Sequence, residues 1–152
     1  MYRLMRRINV ISRCAALYRT ERYRDSELCQ NHNTYILCIC HNPGLTQEQL
    51  ASRIYINKSN VARQLAYLEQ HGFIERRQFD KDKRVLLVYP TKKAEESLQF
   101  VTDVNREWNE YITEGFTDEE LDQFTQMLDR VERKAKQYFD KNDTNREDVS
   151  EQ

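Results

Sequence analysis

The chain has 152 residues, enough for one domain with helical extensions, and 32% of them are charged. With only 3 Gly and 2 Pro, a mostly helical fold is expected. No apolar run approaches the ~20 residues of a membrane span, and no long apolar segment follows the early arginines, so neither a spanning protein nor a secretory leader is expected. The formal net charge of −1 conceals a strong asymmetry. Residues 1–43 carry 7 cations against 3 anions, residues 44–93 carry 10 against 5, and residues 94–152 carry 7 against 17. A basic front and an acidic rear suggest a nucleic-acid face on one side only. The four cysteines, Cys14, Cys29, Cys38 and Cys40, form no CxxC pair, so a reduced, cytoplasmic setting is expected. No phosphate loop, nucleophile elbow or paired-carboxylate signal occurs, and no metal-ligand spacing, so neither an enzyme nor a cofactor is expected.

Residues 2–23 read as a helix, with Leu4, Ile8, Ile11, Ala15 and Tyr18 spaced as one apolar seam. Residues 24–33 are polar and read as a connection. Thr34 to His41 is an apolar run, read as a buried helix. Asn42-Pro43-Gly44 is a turn signal.

Thr46 opens a short helix, with Gln49 as its capping-box partner. Asn57 is a good N-cap for a second helix, and Gly72 a good residue just past its end. Val61, Leu65 and Leu68 make the inner stripe of that helix. Lys58, Ser59, Asn60, Arg63 and Gln64 are left outward, a set suited to base edges and phosphates. A short helix, a tight turn and a second helix with polar residues at its start make a helix-turn-helix over residues 46–72.

Two β-prone runs follow, Phe73 to Phe79 and Val85 to Tyr89, with a charged tip from Asp80 to Arg84. Arg76, Arg77, Lys81, Lys83 and Arg84 place their cations on this small ribbon. Edge strands also carry Lys and Arg to block aggregation. The position directly after the second helix favours a DNA-contacting wing over residues 73–90.

Pro90 ends the second strand and Thr91 caps the next helix, over about 92–113. Gly115 breaks it, and Thr117 with Glu120 is a second capping box. Leu121, Phe124, Leu128, Val131, Ala135 and Tyr138 then form a heptad seam, which calls for a long partner helix. The expected organisation is therefore an N-terminal dimerisation helix and connection (1–33), a winged helix-turn-helix core (34–90), C-terminal dimerisation helices (91–139) and a polar, disordered tail (140–152). The fold class is mainly α with a small β-wing.

Residues 43–94 resemble the MarR family of winged-helix transcriptional regulators. Pro43 to Ala51, Lys58 to Leu65, Leu68 to Ile74, and Asp82-Lys83-Arg84 ahead of Thr91 carry the resemblance. Ala94 stands where the family commonly has Gly, and Pro90 where it has Leu; neither change touches a DNA-facing residue. The resemblance implies a homodimer joined by its terminal helices, binding double-stranded DNA at a pseudo-palindromic operator. Half-sites would lie about 34–36 Å apart. Arg84 would enter the minor groove, with Asp82 orienting it. Arg63 would contact guanine; Asn60 and Gln64 would read adenine or fix a phosphate; Ser59 and Thr46 suit phosphate, and Lys58 either role. Repression is the expected mode. The resemblance further implies release by a small phenolic or amphipathic effector, which Arg13, Tyr18, Tyr35, Ile39 and Trp108 are placed to line, although each serves equally as a core or seam residue. An alternative trigger is oxidation at Cys14. The rival reading is a winged-helix protein-interaction module that does not bind specific DNA.

Overall fold

The computed structural model describes residues 3–147, with side chains as far as Asp140. The chain divides into two compact units, one reaching to Asn109 and one beginning at Glu110.

In the first unit, α1 (Leu4–Arg22) and α2 (His32–His41) lead into β1 (Leu45–Thr46), α3 (Gln47–Ile54) and α4 (Lys58–Gln70). β2 (Ile74–Phe79) and β3 (Asp82–Pro90) precede α5 (Lys92–Ile112). The three strands form an antiparallel sheet in the order β1-β3-β2. This is the expected fold class, mainly helical with a small wing.

One core holds the unit together. Tyr35, Ile36 and Ile39 of α2 meet Leu50 and Ala51 of α3, Val61, Leu65 and Leu68 of α4, and Phe73, Ile74 and Val88 of the sheet. Ala94, Val101 and Val104 of α5 are fully buried in the same cluster, so this part of α5 folds with the winged helix. Removing such a side chain, as in Leu65→Ala, costs about 2–5 kcal/mol because the cavity collapses only in part.

Local capping agrees with the sequence reading. Thr46 Oγ1 accepts from Gln49 N at 3.1 Å, and Gln49 Oε1 accepts from Thr46 N at 2.9 Å. Asn57 Oδ1 accepts from Asn60 N at 2.8 Å. Gly44 is required by its surroundings: its φ is +86°, and a Cβ there would lie 3.0 Å from the Tyr89 hydroxyl.

Three boundaries differ from expectation. α2 begins at His32 rather than Thr34, because the His32 ring folds back on the preceding turn and accepts from Cys29 N at 3.0 Å. The hairpin tip is tighter than read: a register shift between Gln78 and Phe79 pairs Phe79 with Asp82, so only Asp80 and Lys81 turn, and Lys83 and Arg84 belong to β3. β1 is two residues long, too short to show a periodicity.

In the second unit, Thr117 and Glu120 close their capping box at 2.9 and 3.2 Å. α6 runs Asp118–Glu147, so the helical backbone continues past Asp140, where a disordered tail was expected. Residues 148–152 of that tail lie outside the described residues. Phe124, Leu128, Val131 and Tyr138 of the heptad seam are exposed.

Candidate nucleic-acid interface

The outward face of α4 follows from its inward one. Val61, Leu65 and Leu68 are fully buried, which fixes the helix rotation and leaves Lys58, Ser59 and Arg63 exposed. The turn between α3 and α4 is made by Tyr55 in the left-handed region, at φ 54° and ψ 41°. That conformation is uncommon for a residue with a side chain, and it sets the two helices of the motif against each other.

The polar residues of α4 differ in freedom. Lys58 Nζ donates to Glu48 Oε1 of α3 at 2.6 Å, and this pairing holds the Glu48 carboxyl below its usual range. Ser59 Oγ donates to Asn57 Oδ1 at 3.0 Å. Arg63 reaches back to Asn60 Oδ1 at 3.5 Å and is otherwise turned to solvent. Gln64 is not a simple outward group: its Oε1 lies 2.9 Å from Nε2 of the buried His32, and its Nε2 donates to Asn60 Oδ1 at 3.3 Å.

The wing sorts its cations by strand alternation. Arg76 shares a face with Val88, approaches Glu69 at 3.5 Å and has a side chain only 25% exposed. Arg77 points to the other face, paired with Glu75 and stacked 4.5 Å over the Tyr89 ring. Lys81 and Lys83 are exposed at the tip. The Arg84 side chain is 90% exposed, yet held. Its Nε donates to Asp82 Oδ1 and its Nη2 to Asp82 Oδ2, each at 3.0 Å, while its backbone N donates to Oδ1 at 3.0 Å. Those bonds to Arg84 lower the Asp82 pKa, and the same bond raises that of Arg84. Thr46, Glu48, Arg76, Arg84 and Leu86 line an open groove of about 380 Å³ between the wing and the start of α3. In it the Thr46 hydroxyl serves the cap described above.

The other candidate residues are scattered. Tyr18 and Trp108 meet, with ring centroids 5.2 Å apart, and Tyr18 donates to Glu107 Oε2 at 2.9 Å. Burial first, then that hydrogen bond, raises the Tyr18 pKa. Tyr35 and Ile39 are core residues at 1% exposure, and Arg13 is exposed on α1. Cys14 and Cys29 are exposed, whereas Cys38 and Cys40 are half-buried and have thiols pushed up by burial. Among the described residues, no group of three or more His, Cys, Asp or Glu is placed to hold a metal ion. None of the helices there is long and apolar enough to cross a membrane.

Sequence reasoning missed His32 and Glu48. His32 stands in a stretch read as a connection, and its partner is 32 positions away. Glu48 carried a hint, as an anion in the first turn of the helix that precedes the basic one.

Residues 30–86 match the MarR family. The HTH-type transcriptional regulator BilQ of Clostridium symbiosum (strain WAL-14163) is 30% identical over 97 residues, which cover 64% of this chain and 67% of BilQ. The chain belongs to the MarR family. The HTH-type transcriptional regulator YybA of Bacillus subtilis (strain 168) is 28% identical over 128 residues, covering 84% of this chain and 85% of its own. A MarR Family Transcriptional Regulator from Listeria monocytogenes, crystallised with a 26mer DNA, superposes with a TM-score of 0.83 at 26% identity, covering 88% of this chain and 89% of that one. This MarR-family chain is thus a winged-helix transcriptional regulator and not an enzyme. The matched segment runs from just before α2 to Leu86 in β3, so it spans every residue of α4 and the wing cations through Arg84.

Proposed function

We propose that this MarR-family regulator is a cytoplasmic repressor that binds a pseudo-palindromic operator in double-stranded DNA as a homodimer. The observation that carries the reading is the Asp82–Arg84 pair, an exposed guanidinium aimed in advance at the tip of a wing. A fixed, extended cation suits a narrow groove of high negative potential, where a mobile one loses rotamer entropy on entering. The Listeria relative's complex with a 26mer DNA supports the same class of partner.

In this reading α4 enters the major groove from its N-terminal end. Arg63 reads a base, Lys58 and Ser59 hold phosphates with Thr46, and Lys81, Lys83 and Arg84 follow the backbone and minor groove. Arg76 and Arg77 are tied to Glu69 and Glu75, and contribute field more than contact. The exposed apolar residues of α1 (Leu4, Val10, Ile11) and of α6 (Phe124, Leu128, Val131) support a dimer, since such surface is costly to leave in water. A small phenolic or amphipathic effector bound beside the Tyr18–Trp108 pair would release DNA by altering how the helices that carry those rings are held.

The test is a salt-dependent anisotropy titration on the promoter DNA beside the regulator's own gene, with scrambled DNA as control. Tight, sequence-dependent binding with a steep fall in log K against log salt is expected. Absence of binding to either DNA at low salt, by a protein shown to be dimeric, would replace this reading with a protein-interaction module.

A further inference from the structure

His32 is buried at 1% exposure, beneath the helix that carries the polar face. Its ring nitrogens face two different partners. Nδ1 faces the backbone N–H of Cys29 at 3.0 Å, and a backbone N–H can only donate. Nδ1 therefore accepts, and the proton of the neutral ring is on Nε2. Nε2 lies 2.9 Å from the Gln64 carboxamide, so the Gln64 atom facing it must be the oxygen. That choice turns the Gln64 NH₂ toward Asn60, 3.3 Å away, so the atom it meets must be the Asn60 oxygen. Arg63, which only donates, approaches the same oxygen at 3.5 Å. The orientation of each amide in this chain follows from a single backbone N–H, independently of how any one amide is drawn. The His32 ring is also held from the side by Tyr67, at 4.7 Å between centroids.

We infer that His32 is a specificity-setting positioning residue: through Gln64 it commits the Asn60 oxygen to protein donors and leaves Asn60 only its NH₂ for the DNA. The inference rests on the DNA-binding reading proposed above and deepens it. An asparagine recognises adenine by accepting from N6 while donating to N7. With its oxygen committed, Asn60 loses the accepting half of that pair. What remains is a donor, which suits acceptors in the major groove: guanine O6 and N7, or thymine O4. Cytosine, which offers an N4 donor there, is disfavoured. Gln64 likewise has no free oxygen for a base. The face of α4 toward DNA is then made of donors only, Asn60 and Arg63 together.

The experiment is selection from an operator library with the half-site randomised, read by sequencing, for the full-length wild type and three variants. Asn60→Ala identifies the base position that Asn60 reads, by loss of preference there. His32→Phe keeps a ring against Tyr67 and removes both nitrogens. Gln64→Met keeps the side-chain length on α4 and removes the relay without touching the core histidine, so the test survives if His32→Phe fails to fold. The wild type should enrich guanine or thymine at the Asn60 position. Both relay variants should raise adenine relative to guanine there by roughly fivefold or more, the range of one bidentate contact, with preferences elsewhere retained. A purely structural His32 would lower affinity on all sequences evenly and leave the base ratio unchanged, which overturns the inference. So does adenine or cytosine at that position in the wild type, or an Asn60→Ala variant that alters no position. A wild type without sequence preference at any position instead overturns the DNA-reading proposal itself, and this inference with it.

Discussion

The Asp82 carboxylate holds the Arg84 guanidinium with both of its oxygens, at 3.0 Å each, and takes the Arg84 backbone N–H as well. The carboxylate thus serves as a brace for the cation. Asp82→Ala removes a negative charge near DNA, which taken alone would strengthen binding. Because it also releases Arg84 to its many rotamers, the net expectation is weaker operator binding, by roughly threefold to tenfold, the cost of immobilising one long side chain. Arg84→Ala should cost more, and the double variant no more than Arg84→Ala. Equilibrium anisotropy on the same operator distinguishes these orders, and a tighter-binding Asp82→Ala would refute the brace.

Arg63 and the tip lysines should differ in kind. Arg63→Ala is expected to relax sequence preference, with a loss of roughly 1–3 kcal/mol on the cognate site and little on scrambled DNA. Lys81→Ala or Lys83→Ala should weaken both DNAs equally and flatten the salt slope by about one unit each. Titrations of the three variants at several salt concentrations check this.

Glu48 is an anion within the proposed interface, bound to Lys58 at 2.6 Å. Glu48→Gln removes that anion and gives Lys58 to the phosphates. Tighter binding at low salt, with a steeper salt slope by about one unit, is the expected outcome. Unchanged affinity and slope would place Lys58 away from the DNA backbone.

His32 predicts an acid-side loss of stability. Burial, with His71 nearby, lowers its pKa from the ordinary 6.5, outweighing the Gln64 hydrogen bond. The folded chain therefore keeps His32 neutral while the unfolded chain takes up a proton below 6.5. Stability should fall as the pH drops from 6.5 toward the lowered folded value, by at most about 1.4 kcal/mol per pH unit. Glu27, whose pKa lies below the usual 4.5, loses its contribution only in more acid solution, so the two windows separate. Urea denaturation at pH 5.5 to 7.5 should show the slope in the wild type and a flatter one in His32→Phe.

Leu128 is 38% exposed in the middle of the α6 seam. Leu128→Glu is expected to shift the protein toward monomer in sedimentation velocity, since a charge cannot be buried unpaired in a helix seam. A monomeric wild type would dismiss the dimer.

Much of this protein is legible in its sequence because the signals are local. The caps Thr46–Gln49, Asn57–Asn60 and Thr117–Glu120 join residues three apart, so the helix starts can be read directly. The Val61, Leu65 and Leu68 stripe sets the rotation of α4 by periodicity alone, and the Asp82–Arg84 brace spans two positions. Residues whose partners are distant in the chain are a different matter. Strand alternation separates Arg76 from Arg77, but their two pairings depend on where α4 and β3 pass. Lys58 meets Glu48 only because the Tyr55 turn brings α3 against α4. The wing's tip was read too wide because a one-residue register shift leaves no mark on composition. The direction of every donor on the recognition face was decided by the tertiary structure. An amide side chain is equally able to give or take a hydrogen bond, and only the packing of His32 beneath Gln64, with the Cys29 N–H at its back, removes that choice.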